Sequence, residues 1–363
     1  MEFIKRILGK KDKKITSYND FWNWFLNNEK TFYSILKKNK NVEKDFLDTL
    51  SNKIKDLRDG YFFETGMFDD NTAELIVTAD GEITNIVFVE ELVNAAPKID
   101  GWLFTSLKPA LSIENVNIEM SGYTFNESCI SFFPNDNTKY PDEIDITVVH
   151  NDFNENNKST ITRGIYIFID SLLGELNSII TVDNMVVSGT TNIKKELIPI
   201  RKLKDYLTWR QNEFIEKYEG IRHNSETDVY STFEAKHENG NVLIALINTD
   251  LLSWDNKASH PWILRIEIKY DGENNRGMPD DNTYQLLNEI EDNISSQLKD
   301  FDGYLYIGRQ TAQSVRTVYF ACKDFRKPSK IMNEIIYNSS STLEISFSIY
   351  KDKYWQSFER FCK

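Results

Sequence analysis

Cysteine and histidine are scarce in this chain, three and four among 363 residues. Cys129, Cys322 and Cys362 are too widely separated for a disulfide framework or for metal spacing, and they suit a reducing compartment. His150, His223, His237 and His260 show no paired spacing of the kind a metal site uses; the nearest approach, His150-Asn151-Asp152, reads as a strand end beside a polar loop. No metal and no cofactor are therefore expected. Basic charge is also in deficit: 43 Lys and Arg against 56 Asp and Glu leave a formal net charge of -13. That balance argues against general nucleic-acid binding, because neutralising phosphates takes a basic contact surface. No apolar run approaches the roughly 18 residues of a membrane-spanning helix and no signal peptide is visible, so a cytoplasmic protein is expected. The Gly-x-Ser-x-Gly elbow, the phosphate loop and the dinucleotide glycine fingerprint are absent too. Glu289 and Glu291 lie two apart on one helix and point different ways, a poor acid–base couple, so no catalytic residue is assigned.

What is present is a chain long enough for two α+β domains, each with its own core. Residues 1–14 form a basic segment in which Phe3, Ile4, Ile7 and Leu8 share a helical face, suited to weak contact with an anionic membrane or a partner, or else a solvated tail. Residues 15–190 read as an α+β domain that opens with a helical hairpin. Phe21, Trp22, Phe25, Phe32, Ile35 and Leu36 recur at spacings of three and four, and Phe46, Leu50, Ile54 and Leu57 continue the pattern, so the aromatic cluster belongs to a core. Short strands then alternate with turns, a helix is expected from about Thr160 to Glu175, and a strand at about Ile179 to Val187 closes the unit. Residues 191–222 form a linker and a bridging helix.

Residues 223–363 carry the clearest pattern. Strands at 229–237 and 242–248 flank Asn239-Gly240, which predicts a type I′ hairpin with Phe233 opposite Leu246 and Ala235 opposite Ile244. Leu264, Ile266 and Ile268 alternate with Arg265, Glu267 and Lys269, a strand with one buried face. A helix opened by Pro279 and Asp280 follows, then two strands, a helix from about Ser329 and a last strand at 343–350. The order strand, helix, strand, strand, helix, strand predicts a ferredoxin-like split βαβ sheet, extended by the N-terminal hairpin. Trp355, Phe358 and Phe361 predict a short docking helix at the end.

Gly277-Met278-Pro279, the acidic helix with Glu289 and Glu291, Gly308-Arg309-Gln310-Thr311 and Arg316-Thr317-Val318-Tyr319-Phe320 together resemble the bacterial domain of unknown function 695, over about residues 227–350. The region with Ala95-Ala96-Pro97, Trp102 and the segment 170–175 resembles the companion domain often found ahead of it. The resemblance implies a cytoplasmic bacterial protein and supplies no catalytic residues. At position 321 the chain has Ala where the resemblance leads one to expect an aromatic residue.

The strands joined at residues 307–320 hold the candidate site. With Gln310 paired to Val315 across a four-residue loop, Arg309 faces Arg316, Ile307 faces Val318 and Leu305 faces Phe320. Opposed like charges need an intervening anion. Glu291, on the helix face of Leu287 and Ile294, is the internal candidate; a bound anion or a partner's carboxylate is the other. The opposite face would carry Tyr304, Tyr306 and Tyr319 beside Arg265, an interaction face for the hairpin, the N-terminal domain or a second subunit. The expectation for function is a non-catalytic protein that binds another protein, a regulator or an immunity-type inhibitor whose acidic surface masks a basic partner. The alternative is an enzyme or small-anion binder using Arg309 and Arg316.

Overall fold

The computed structural model describes residues 14–191, 193–236, 240–338 and 343–362. The basic tail up to residue 13, His237, and Asn239 of the expected turn lie outside the described residues. The chain divides into two compact units, one reaching to Val116 together with Ile167–Ile179, the other made of Asn117–Tyr166 and Ile180–Lys363.

In the first unit, helix α1 (Tyr18–Lys38) starts at Ser17, whose hydroxyl accepts the Asp20 N–H, and stops at Asn39 in the left-handed region. A π turn at Glu43–Leu47 leads into α2 (Asp48–Ile54). Strands β1 (Phe62–Met67) and β2 (Ala73–Thr78) pair antiparallel. After α3 (Ile83–Asn94), β3 (Trp102–Ser106) joins β2 in parallel. The aromatic spacing of α1 is core packing as expected: Phe21, Trp22, Phe25 and Phe32 are buried, and Phe25 meets Trp102 edge-on at 5.0 Å.

Among the described residues the second unit holds sheets of two, four and six strands. A small hairpin, β4 (Ile118–Met120) with β5 (Tyr123–Phe125), precedes β6 (Ile130–Pro134) and β7 (Asp145–His150). Helix α4 (Lys158–Leu173) passes from this unit into the first, which also holds α5 (Glu175–Thr181) as far as Ile179; Gly174 at φ 78 separates the two helices. Strands β8 (Asn184–Ser188) and β9 (Ile198–Pro199) complete a sheet of order β8-β7-β6-β9. The strand expected from Ile179 is thus corrected: the β-branched run Ile179-Ile180-Thr181 ends a helix, and the strand starts five residues later at Asn184. That helix is anchored at its first residue. The buried Glu175 carboxylate accepts the Thr78 hydroxyl and the Ala79, Gly81 and Lys108 N–H groups, which overrides the local β preference.

Helix α6 (Leu203–Tyr218) leads to the larger sheet, formed by β10 (Tyr230–Lys236), β11 (Val242–Asn248), β12 (Trp262–Lys269), β13 (Tyr304–Ala312), β14 (Val315–Cys322) and β15 (Glu344–Lys351). A short α7 (Thr249–Leu252) follows β11, α8 (Asp281–Gln297) links β12 to β13, and α9 (Arg326–Asn338) links β14 to β15. The strand order is β10-β11-β13-β14-β12-β15, and every neighbouring pair is antiparallel. The architecture is mixed α and β, as expected. On one face Ala245, Ile247, Ile263, Leu305, Ile307 and Tyr319 pack with Trp355, Phe358 and Phe361, the last two from a 3-10 turn at Gln356–Phe361 that matches the expected docking segment. The first hairpin is one residue out of its expected register: Phe233 faces Ala245 and Ala235 faces Leu243. A one-residue slip exchanges the faces of a strand, and the observed register is the one that puts Phe233, Ala245 and Ile247 together against Phe361.

Residues 117–166, placed by sequence with the N-terminal domain, cluster with the C-terminal residues. Polar contacts to Pro141 and Asp142 account for part of this. Arg210 of α6 donates to the Pro141 carbonyl at 2.7 Å, and Asp142 accepts from Lys217 and from the Tyr218 and Tyr354 hydroxyls.

Candidate functional site

The β13–β14 hairpin closes through two residues, not four. Ala312 pairs with Val315, and the turn residues Gln313 and Ser314 have φ 51 and φ 64, the positive pair that a type I′ turn requires. Arg316 therefore faces Thr311 and Arg309 faces Val318, so the expected direct opposition of the two arginines is corrected. A bulge between Tyr306 and Gly308 corrects the faces as well. Gly308 has φ 146, and a Cβ there would stand 2.2 Å from the Leu246 carbonyl oxygen, so only glycine lets β11 approach. One extra residue inverts the alternation along β13. Tyr304, Tyr306, Arg309 and Thr311 share the face of Arg316, Val318, Phe320 and Cys322, while Leu305 and Ile307 turn to the opposite core with Tyr319 and Ala321.

The side chains expected to form one interaction face are consequently split. Tyr319 stands opposite Arg265 as expected, but it is buried edge-on against Phe358 at 5.1 Å. Arg265 donates to Glu267 at 2.5 Å. Tyr304 and Tyr306 lie on the other face; Tyr304 is buried, and Tyr306 packs edge-on against Phe320.

The charged cluster, by contrast, is brought together. Helix α8 begins at Asp280, whose carboxylate caps the Thr283 N–H, and it turns Leu287, Glu291 and Ile294 inward. Glu291 is only 8% exposed. Its carboxylate accepts the Tyr306 hydroxyl at 2.5 Å and Arg309 Nη1 at 3.2 Å from both oxygens, with Arg316 Nη1 at 3.5 Å. Arg316, 1% exposed, also donates to Asn288 Oδ1 at 2.8 Å and lies over the Tyr284 ring at 5.0 Å. Burial and the nearby Arg309 lower the Arg316 guanidinium's pKa, Glu291 opposing them. Burial, then the adjacent Glu291, pushes the Tyr306 phenol far above its ordinary value, so Tyr306 acts as a hydrogen-bond donor to the carboxylate. One carboxylate thus serves two guanidinium groups. The arrangement ties α8 to the hairpin and leaves Arg309, 23% exposed, as the accessible member.

His150 and His223 are both held by neighbouring polar groups. His150 is fully buried, with Nε2 3.0 Å from the Thr124 carbonyl and Nδ1 accepting the Asp152 N–H. His223 lies 2.8 Å from Asp228. Among the described residues no group of three or more His, Cys, Asp or Glu side chains is placed to hold a metal ion.

Sequence reasoning missed a second cluster. Lys351 and Lys353, at and just beyond the end of β15, both reach Asp183 at 2.6 Å, one to each carboxylate oxygen. Lys351 also donates to the Ile180 carbonyl at 2.7 Å and Lys353 to that of Asp142 at 2.8 Å. The Ile144 N–H donates to Asp183 Oδ2 at 2.6 Å. Burial pushes the Lys351 amine down to about 8 against the pull of Asp183. Burial and the neighbouring Asp183 push the Glu143 carboxyl up; Gln356 and Asn184 donate to it. Both lysines line two cavities, of about 200 Å³ on the Glu143 side and about 240 Å³ on the Trp262 side. Perturbed groups beside a cavity are a recurrent mark of functional sites. No local motif announces this one, because Asp183 and Lys353 are 170 residues apart.

Fold and site together define a mixed α and β protein whose larger sheet carries a buried arginine–glutamate cluster, and no single described helix is long and apolar enough to cross a membrane. Residues 232–362, the C-terminal region, match the model of a family of unknown function (DUF695). No curated protein and no solved structure matches the chain.

Proposed function

We propose that this is a cytoplasmic bacterial protein that acts by binding another protein, without catalysis, and that its C-terminal domain is a ferredoxin-like sheet extended by the β10–β11 hairpin. The strand order β13-β14-β12-β15 with one helix after β12 and one after β14 supports the fold. The family's companion domain is the corresponding reading for the N-terminal region.

The observation that carries the binding role is the uncovered side of the added hairpin. Pairing with Arg309 and Thr311 puts Leu246 and Ile244 on the α8 side of the sheet, and Tyr230 and Thr232 follow on the edge strand. Tyr230 and Ile244 are each 37% exposed, and Tyr284 of α8, 44% exposed, accepts from Arg309. Glu234, Lys236 and Arg309 supply a polar rim, the composition of a small protein-binding patch. An anion site at Arg309 and Arg316 has less support, because Glu291 already occupies both arginines. The test is affinity capture with the tagged full chain and its Ile244→Asp and Tyr284→Ala variants. A partner retained by the parent and lost at least tenfold by both variants supports the reading; equal retention by all three removes this face from it.

A further inference from the structure

The cavity of about 240 Å³ beside Lys351 joins two kinds of wall. Phe214, Trp262 and Phe325 contribute rings, while Lys323, Arg326, Lys351 and Lys353 contribute cations. Asp324 lies 3.0 Å from Arg326, and Asp183, behind the wall, is shared by Lys351 and Lys353. Among the described lining residues four are cationic and one, Asp324, is a carboxylate, inside a chain whose net charge is strongly negative. Glu143 and Asp352 line the adjoining cavity, on the far side of the two lysines.

Donor counting points the same way. An ammonium has three N–H groups. Lys351 donates to Ile180 O and makes an ion pair with Asp183 Oδ1, and Lys353 donates to Asp142 O and to Asp183 Oδ2. Among the described residues each amine therefore retains an N–H for whatever occupies the space it lines. The rings are close to those amines: Lys353 Nζ is 4.6 Å from the Phe214 centroid and Lys351 Nζ 5.8 Å from that of Trp262. Buried donors beside aromatic walls suit a ligand with an anionic head and a flat apolar body.

We infer that this cavity is a binding site for a small aromatic anion, a carboxylate or a phosphate monoester carried on a ring. The head takes the free N–H of Lys351 with Lys323 at the mouth, and the ring lies against Phe214 and Trp262. The site is separate from the Glu291 cluster and from the β10–β11 patch, so it stands or falls independently of the protein-binding role.

Isothermal titration of the full chain with phenyl phosphate, benzoate, inorganic phosphate and benzyl alcohol tests it. At least one ring-bearing anion should bind ten times more tightly than both inorganic phosphate and neutral benzyl alcohol. Preference for phenyl phosphate over benzoate assigns the head as a phosphate monoester, and the reverse preference assigns it as a carboxylate. Lys351→Met and the exposed-site variant Lys323→Met should each weaken that binding at least fivefold. Lys323→Met keeps the test informative should Lys351→Met fail to fold. Absence of binding by both aromatic anions at millimolar concentration, equal binding of benzyl alcohol, or indifference to Lys323→Met would overturn the assignment.

Discussion

Gly308 of β13 lies opposite Ile247 of β11, so close that a side chain at 308 would run into the neighbouring backbone at Leu246. This contact does two things at once. It lets the added hairpin dock on the sheet, and it holds the bulge that turns Arg309 toward Glu291 while Ile307 enters the opposite core.

Gly308→Ala should accordingly destabilise the larger sheet by about 3 kcal/mol, the usual scale for a strained position with a forced backbone shift. Chemical denaturation of the purified chain measures it. Gly66, in β1, has open space around the site of a Cβ and serves as the control glycine, where alanine should be nearly neutral. A loss at Gly308 no larger than at Gly66 would mean that the bulge does not need glycine.

Glu291 is the single carboxylate between two guanidinium groups, one of them 1% exposed. Removing one partner of a buried pair strands the remaining charge, so Glu291→Leu should cost about 3–5 kcal/mol. Arg309→Met, which leaves Arg316 as Glu291's partner and takes away a partly exposed cation, should cost about 1 kcal/mol. Arg316→Met placed on Glu291→Leu should recover part of the loss, because it removes the stranded buried charge. Additive effects of these two changes would show that the groups are not coupled.

Much of this region was legible in the sequence, and the exceptions share a cause. Leu264, Ile266 and Ile268 alternate cleanly, and Leu287 with Ile294 marks the inward face of α8, so Glu291 was placed correctly beside them. The hairpin faces were not legible, because periodicity assumes unbroken alternation and one bulged residue reverses it. Gln313 and Ser314 do not advertise positive φ as Asn-Gly does, which hid the two-residue turn. Ile179-Ile180-Thr181 reads as strand by composition, yet the Glu175 anchor at the head of the helix decides it. The pairing of Lys351 and Lys353 with Asp183 is a tertiary fact with no local signature.

His260 is 2% exposed, and its acid response should be visible in the stability of the whole second unit. Ser259 Oγ donates to the Asn256 carbonyl at 2.6 Å, which leaves it to accept from His260 Nδ1 at 2.8 Å and fixes the neutral imidazole in the Nδ1–H form. Trp254 lies against the ring, and Lys323, His223 and Arg222 all oppose a second proton. Burial, reinforced by Lys323 first among its neighbours, lowers the His260 pKa to about 4. Between pH 4 and the unfolded value of about 6.5, the unfolded chain binds the proton and the folded chain does not. Stability must therefore fall as pH drops through this window, by about 3 kcal/mol at its lower end. Denaturation midpoints at pH 7, 5.5 and 4.2 should show the decline, and His260→Gln, which cannot titrate, should flatten it. Imidazole carbon resonances give the direct reading: a His260 signal that titrates near pH 6.5 in the folded protein would refute the assignment.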